Sequence, residues 1–514
     1  MLTDPRLRLV AGTELADNDE AVLAALDGVR VVLRVDGAPP SASAAVGLLI
    51  GLVARLFAHV HIDGDARAEV SGLTMSASEL LERLRWLRPA AVTQPTVDKV
   101  IGIGLTGGRP VDLGIGGGAW TARVGREPQP VTQVHGVPLF GVQAAACLAV
   151  AELIKETLLP VGFRSRRLDR TLVWDLLSYR IDTATGRVDR QRRVPVEVAL
   201  AGVGSVGTSV VSTLLAANTP FLSKVVLIDP EDFDDRNPFR YPALLDDITG
   251  AGKAQWARQR LADAGVEASA YRGTVAQWVA DRPEPGFDGV LVASPDTLTG
   301  RRDVTDVLAR TTLSVGVAGL AFHVSRHHLG DGLACPYCEY VNTGPLSTQA
   351  EVYAVHTGLE VARVLQLMQP GAVLAADDLA RVHATGKISM ASRAALLGHR
   401  LDDLIARAYA EVRVAPAGDA AQVLLAAPYV SALAGVLAAV EIYKINLGLP
   451  VVDRRLDLDL SGLPQGYVRR PSADATGRCL CASGFRQAAM RRLYRSMGGP
   501  GRVVLQSAPT GGAH

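Results

Sequence analysis

The chain has 514 residues, 48% hydrophobic and 20% charged, with a formal net charge of +1. That length exceeds one ordinary core and predicts at least two domains, in a composition typical of soluble globular proteins. A near-neutral balance supplies no bulk attraction to nucleic acid or to an anionic membrane surface, so neither is an expected partner. Met1–Val10 alternates charged and apolar residues and lacks the apolar core of a secretory signal. The apolar stretch Ala44–Val60 carries Arg55 and His59 and is too short and too polar to span a bilayer. Four of the five cysteines lie in close pairs, which suits a reducing, cytoplasmic location where thiolates bind metal.

Along the first 190 residues, 47–57 reads as a helix and 58–62 as a strand ending at Asp63. Further on, Ala146–Leu158 (ACLAVAELIKETL) matches Gly435–Leu447 (GVLAAVEIYKINL), with Glu152 against Glu441 and Lys155 against Lys444. The match predicts two related halves. The expected division is residues 1–190 as a degenerate first half, 191–495 as the intact one, and 496–514 as a disordered tail rich in Gly, Pro and Ala. The polar, arginine-rich run Thr183–Arg193 marks the boundary.

The second half alternates strand and helix patterns. Val196–Ala201 is a buried-type strand, Val206–Leu215 a helix, Lys224–Asp229 a strand, Lys253–Ala264 a helix and Ala268–Tyr271 a strand. Strands at Gly289–Ala293 and Leu313–Val317 flank a helix near Val304–Arg310. Such alternation predicts an α/β fold with a Rossmann-like, doubly wound, mostly parallel sheet. Residues 345–425 are helical in pattern and form an insertion.

Gly202, Gly204 and Gly207 sit between the first of these strands and its helix. Their places suit a tight turn, a close approach to phosphate, and close packing of helix on strand. The helix N-terminus offers free N–H groups to an anion. Asp229, about twenty residues on, stands where an acid bonds ribose hydroxyls. The run Asp229-Pro-Glu-Asp-Phe-Asp-Asp-Arg-Asn237-Pro-Phe-Arg240-Tyr, then Gly252-Lys253 and Ser294-Pro-Asp296, adds groups that hydride transfer does not need. Arginine and lysine suit triphosphate charge, and a lone carboxylate suits Mg²⁺. Only six of the 53 basic residues are lysines, which sets Lys253 apart. Finally, Cys335-Pro-Tyr-Cys338 and Cys479-Leu-Cys481 have the count and pairing of a tetrahedral zinc site that would tie together two distant segments.

On these residues the chain resembles the ThiF/MoeB/ubiquitin-activating enzyme superfamily. GVGSVG, DPEDFDDRNPFR, the GK pair, SPD, the split cysteine pairs, the strands before the first pair and the helix Tyr429–Gly448 carry the resemblance, which covers residues 195 to about 485. It implies an ATP-dependent adenylyltransferase that activates the C-terminal carboxylate of a small ubiquitin-like protein or precursor peptide as an acyl-adenylate. Asp229 would then hold the ribose. Glu231 and Asn237 would line the nucleotide pocket, Arg240 and Lys253 would bind the β- and γ-phosphates, and Asp296 would hold Mg²⁺. The zinc would be structural. The family's usual second pair is CxxC rather than CxC. If the CxC pair does not reach the metal, His327 or His328 would complete the set.

No cysteine occurs from 339 to 478, and Cys147 lies in an alanine-rich helix. The acyl group would therefore pass to an external nucleophile such as sulfide, an amine, or the thiol of a downstream acceptor enzyme. Relatives act as homodimers or as paired halves, so an internal pseudo-dimer is an expected arrangement, with Arg6, Arg8 or one of Arg164–Arg170 reaching in from the first half. Two rival readings stand beside this one. The first is a non-catalytic leader-peptide-binding partner of an azole-forming, peptide-modifying enzyme. The second is a nicotinamide or flavin oxidoreductase.

Overall fold

The computed structural model describes residues 4, 6–7, 18–91, 93–133, 137–183, 194–217, 221–295, 298–328, 333–338, 341, 349–410 (backbone alone for 406–410), 426–449, 451–452, 454–462 and 467–494. The expected boundary is therefore described only at its start, and the expected tail lies outside these residues, as do Arg8 and Asp296.

Helix α1 (Asp19–Asp27) leads into strand β1 (Val29–Arg34), helix α2 (Ser43–Leu56) and β2 (His59–Asp63). A hairpin follows, β3 (Arg67–Val70) and β4 (Leu73–Ser76). Ser76 caps α3 (Ala77–Arg83), its hydroxyl accepting from the amide of Glu79 at 3.1 Å. Then come β5 (Val97–Ile103), β6 (Leu113–Gly117), β7 (Thr121–Gly125), the long helix α4 (Phe140–Leu158) and β8 (Leu172–Asp175). These strands form a six-stranded sheet in the order β2-β1-β5-β6-β7-β8. It is parallel as far as β6 and antiparallel beyond.

The second sheet opens with β9 (Val196–Ala201), α5 (Ser205–Ala216), β10 (Leu222–Ile228), α6 (Lys253–Asp263), β11 (Ala268–Tyr271) and α7 (Val275–Asp281). It continues through β12 (Phe287–Ala293), α8 (Leu298–Val304), β13 (Ala309–Ala318) and β14 (Ala321–His327). Five helices follow: α9 (Gln349–Thr357), α10 (Val361–Leu367), α11 (Ala376–Ala384), α12 (Met390–Ala395) and α13 (Leu401–Ala410). They bury a separate apolar cluster around Val364, Val382 and Leu404, as a helical insertion would. The chain then returns through α14 (Pro428–Leu447), β15 (Arg455–Asp459), β16 (Tyr467–Arg469) and α15 (Gly484–Tyr494). The strand order is β11-β10-β9-β12-β13-β14-β15-β16, parallel to β13 and antiparallel from there. The fold is α/β with two parallel-rich sheets. The helix expected near Val304–Arg310 is displaced: α8 ends at Val304, a short 3-10 turn covers Thr305–Val307, and β13 already runs from Ala309. Alternating apolar residues in ARTTLSVGVA satisfy the strand period, and pairing along both edges of β13 decides the case.

Helices α4 and α14 form the centre of the main core, nearly all of their residues buried. Gly435 lets α14 approach α5 closely, because a Cβ there would lie 2.5 Å from that of Ser209. Among the described residues α14 is the one helix long and apolar enough to cross a bilayer, yet 94% of its 18-residue window is buried within the protein. The matched acids and lysines behave alike at the two helix ends. Glu152 pairs with Lys155, and Glu441 with Lys444 at 2.7 Å. Each glutamate accepts a backbone N–H from the segment after its helix, Leu168 at 2.9 Å and Val452 at 2.6 Å. Each lysine also crosses over. Lys155 donates to the carbonyl of Gly462 at 2.9 Å, just past β15, and Lys444 to that of Leu177 at 3.4 Å, just past β8. Tyr179 donates to Glu441 as well and lies under the Lys444 ammonium.

Removing one member of such a buried pair strands the other charge and costs about 3–5 kcal/mol. Glu441→Ala is expected to lower unfolding stability by that amount in denaturant titration. The double variant Glu441→Gln/Lys444→Met, which keeps an acceptor and removes the charge, is expected to lose clearly less.

Candidate functional site

In the second sheet the chain runs outward through β9, β10 and β11 and then crosses back to β12, so the order reverses between β9 and β12. Ligands of open α/β sheets bind outside the carboxyl ends of the strands at such a point. The glycine turn lies there. Gly202 has φ +94°, a conformation that favours glycine. A Cβ on Gly207 would stand 2.2 Å from the Gly202 carbonyl oxygen, so this glycine seats α5 against its own turn. Gly204 differs, since a Cβ there would meet only the Tyr241 hydroxyl, at 3.7 Å. No packing within the described residues demands a glycine at 204. Ser294, past the end of β12, closes the crevice floor by bonding Ala201 O through its amide at 3.0 Å and Gly202 O through its hydroxyl at 3.2 Å.

Asp229 directly follows β10 and ties the glycine turn to the start of the next loop. One carboxylate oxygen accepts from the amide of Val203 at 2.6 Å, the other from that of Glu231 at 2.9 Å. Burial raises its pKa, with the two amides and Lys253 pulling the other way. Lys253, the first residue of α6, is buried, and its ammonium meets the exposed carboxylate of Glu231 at 2.5 Å. Burial pulls its pKa down, but Tyr241, Glu231 and Asp229 outweigh that and leave it raised. Thus the structure brings together Gly202, Gly204, Gly207, Asp229, Glu231 and Lys253. Tyr241, which sequence reasoning passed over, joins them. Its hydroxyl is the group nearest Gly204, and its ring packs on Phe233 at 6.0 Å.

Asn237 and Arg240 stand on the segment between β10 and α6. Asn237 is 2% exposed. Its amide nitrogen donates to Asp234, and its buried oxygen has no hydrogen-bond partner among the described residues. The same holds for the buried Nε of Arg240, whose guanidinium lies 5.7 Å from the Tyr241 ring centre. Orphaned buried polar atoms are uncommon in native proteins and invite a ligand or an ordered water.

Two of the arginines expected to reach in from the first half are committed elsewhere. Arg6 is buried against Asp4 at 2.8 Å and Asp27 at 2.5 Å, and Arg170 pairs with Asp182 at 2.7 Å. Arg55 on α2 arrives instead. It bonds Pro238 O at 2.6 Å, Tyr241 O at 3.0 Å and Leu244 O. Three more contacts from the first half flank it. Ser71 Oγ donates to Ala243 O at 2.9 Å, Trp86 Nε1 to Leu245 O at 3.2 Å, and Arg83 pairs with Asp246 at 2.6 Å.

At the matching edge of the first sheet the acid is met by arginines. Asp63, ending β2, is held by Arg34 at 2.8 Å and Arg109 at 3.1 Å, and Arg109 also meets Asp36 at 2.5 Å. The bond from Arg34 lowers the pKa of Asp63. The loops after β1 and β5 pack on each other, Gly37 against Leu105 and Gly104.

The four paired cysteines converge. Sulfur–sulfur distances are 3.4 Å for Cys335–Cys479, 3.7 Å for Cys335–Cys338, 3.6 Å for Cys338–Cys479 and 3.3 Å for Cys338–Cys481. Four thiolates around one tetrahedral ion with bonds of about 2.3 Å would stand about 3.8 Å apart. The set could hold a metal ion. The CxC pair suffices because Cys479 begins a 3-10 turn, Leu480–Ala482, that folds Cys481 back. Asp474 braces that turn by accepting from the Cys479 amide at 2.9 Å. Amides of Cys335 and Tyr337 point at Cys338 and Cys335 sulfurs, at 3.3 and 3.4 Å. His327 is not needed: its ring bonds Ser325 and the Ala334 carbonyl, and burial pushes its pKa down to about 4. His328 is engaged by Arg326 and the Arg310 carbonyl. Cys147 is fully buried and its thiol pKa is pushed up by burial.

No protein-family model matches the chain. The uncharacterized protein y4jF of Sinorhizobium fredii (strain NGR234) is 26% identical over 391 residues, 74% of each chain. Among solved structures, E. coli MccB is similar over 56% of this chain and 65% of its own, under two thirds of its length, at 13% identity and a TM-score of 0.35. A structure of E. coli MccB with ATP gives 11% identity and a TM-score of 0.29. Selenomethionine PaaA gives 15% identity and 0.27, over 54% of this chain and 72% of its own. Likenesses this slight assign no residue a role.

Packing makes a direct prediction. Gly207→Ala should lower the melting temperature, costing on the order of 1–3 kcal/mol through its clash with the turn. Gly204→Ala should melt like the wild type. Thermal unfolding followed by circular dichroism checks both.

Proposed function

We propose that the chain is an ATP-dependent adenylyltransferase of the ThiF-like type, acting on the C-terminal carboxylate of a small ubiquitin-like protein or peptide. The observation that carries the reading is the meeting of a glycine turn, two cations and two orphaned buried polar atoms at one strand-order reversal. A dinucleotide site for hydride transfer needs the turn and the acid but not the cations. In this reading ATP lies over Gly202–Gly207, with the α5 N-terminus toward its phosphates. Asp229 faces the ribose. Glu231 and Asn237 line the pocket, and Arg240 and Lys253 take the β- and γ-phosphates. Asp296 is the residue that would hold Mg²⁺, whose charge offsets that of the triphosphate.

The substrate carboxylate attacks the α-phosphorus, a new C–O–P linkage forms, and the bond to the β-phosphate breaks to release pyrophosphate. Two anions must approach, so fixed cations and backbone N–H donors lower the barrier most. In the free site Lys253 is occupied by Glu231, which a phosphate would displace or share. The acyl-adenylate then goes to an external nucleophile, since Cys147 is buried with a raised pKa. The cysteine cluster is a structural zinc site in this reading, with four sulfurs and no open position. Residues 1–190 act as a fused, inactive partner half. Support for that pairing comes from the partly shared strand order, parallel strands followed by antiparallel ones, and from the reciprocal crossing of Lys155 and Lys444.

The chain should catalyse exchange of labelled pyrophosphate into ATP in the presence of its peptide or carrier-protein substrate. Lys253→Ala and Asp296→Ala should each lose Mg-ATP binding while staying folded. Normal Mg-ATP binding by both variants would overturn the residue roles, and peptide binding without exchange would favour the leader-peptide-binding alternative.

Purified chain should carry one zinc. Cys338→Ser and Cys481→Ser should each lose it, as read by elemental analysis, with a lower melting temperature. Metal-free protein that melts at the same temperature would sink the structural role.

A further inference from the structure

We infer that Arg55, in the first half, is a positioning residue for the phosphate-binding segment of the second. What that segment binds rests on the adenylyltransferase reading, whereas what Arg55 does rests on geometry. Its guanidinium is 2% exposed. It donates to Gly51 O at 2.6 Å on its own helix and to three carbonyls across the interface, those of Pro238, Tyr241 and Leu244. These bracket Arg240 and begin one residue after Asn237. Between β10 and α6 the segment has no helix or strand; its ends are tied by the bridge of Asp232 with Gly252 and by Phe233 N to Ala251 O, while its middle has short turns such as Arg240 N to Asn237 O and Leu244 N to Tyr241 O. Arg55 adds a brace from the first sheet to the stretch that carries Arg240.

Arginine is the side chain that fits. A planar fork with five N–H groups spread over three nitrogens can reach the four carbonyls at once, more than the three donors of a lysine ammonium allow. All four bonds go to carbonyl oxygens, and burial pulls the guanidinium pKa down to about 9, so it is still charged at neutral pH. Its charge orients the loop's peptide dipoles without neutralising the site. Arg55 touches neither phosphate nor substrate in this account; it acts through Arg240 and Asn237.

The test uses the full chain with Arg55→Met, which keeps the buried volume, and Arg55→Lys in case the first fails to fold. Hydrogen exchange of the Tyr241 and Leu244 amides should speed up in both variants, while amides of β12 and α14 stay protected. Mg-ATP affinity should fall by roughly tenfold to a hundredfold. AMP affinity should fall less, because AMP lacks the phosphates that Arg240 reads. Unchanged exchange in a folded variant would overturn the inference, and so would equal loss for ATP and AMP. Wild-type chain that bound no Mg-ATP would sink the adenylyltransferase reading, while the exchange comparison would still decide whether Arg55 holds the segment.

Discussion

Buried charges bridge the regions of the two sheets. Lys155 and Lys444 are almost fully buried; each pairs with its own glutamate and also bonds a carbonyl across the seam, and Lys155 bonds the nearby Arg166 carbonyl as well. Leaving such a group unpaired costs several kcal/mol, so separation of the halves is resisted well beyond the apolar contact of α4 with α14. Directional bonds also fix rotation about the interface, which apolar packing does less strictly. Aromatic contacts along the seam add to this, with Tyr443 set between Phe140 at 5.3 Å and Phe221 at 4.9 Å. A fixed interface is what allows a side chain on α2 to place a loop of the other sheet to within hydrogen-bond tolerance.

That placement has an electrostatic logic. Arg240 and Lys253 would repel each other and collapse onto nearby acids if their backbone were loose. Lys253 is pinned at the start of a helix and meets one exposed carboxylate. The segment carrying Arg240 is pinned from its carbonyl side by Arg55, so its own side chain is not needed to hold it down. The Arg240 Nε and the Asn237 oxygen keep their hydrogen-bonding capacity among the described residues. A preorganised donor such as the Arg240 Nε loses less on binding an anion than one that must first be ordered, while the Asn237 oxygen is an acceptor and suits a hydroxyl or N–H group.

The second sheet was legible in the sequence because its signals are local. A short apolar run meeting a glycine turn gives β9 to the residue, and Ala268–Tyr271 matches β11 as read. The glycine turn and Asp229 came out together because fixed offsets from a strand place them, whereas Glu231 and Lys253 came from the resemblance and their residue types. The helix near Val304–Arg310 was misplaced because the expected strand began at Leu313, while pairing along both edges extends it back to Ala309, into the stretch assigned to the helix. Arg55 could not be found this way. Its partners are backbone carbonyls more than 180 residues distant, and carbonyls carry no residue identity. In the sequence it counted only as a charge that spoiled an apolar stretch. Tyr241 was overlooked for a similar reason, since contact with a glycine leaves no pattern of residue types. The cysteine set was legible from composition, but its closure depends on the 3-10 turn at Leu480–Ala482, which spacing alone does not reveal.

The clearest contrast within the chain lies at two aspartates at the end of the second strand of each sheet. Asp63 is balanced by the side chains of Arg34 and Arg109. Asp229 is balanced by the backbone amides of Val203 and Glu231. Both solutions satisfy a carboxylate, the first at a partly exposed edge and the second in a buried one. A guanidinium at Asp63 also satisfies the site permanently, so an anionic ligand would have to break an existing ion pair and lose its strength. At Asp229 both carboxylate oxygens accept main-chain N–H groups, and Lys253 stands at the start of the next helix. An aspartate at matching strand ends is therefore held in two ways, and the difference lies in whether charge is met by side chain or by main chain.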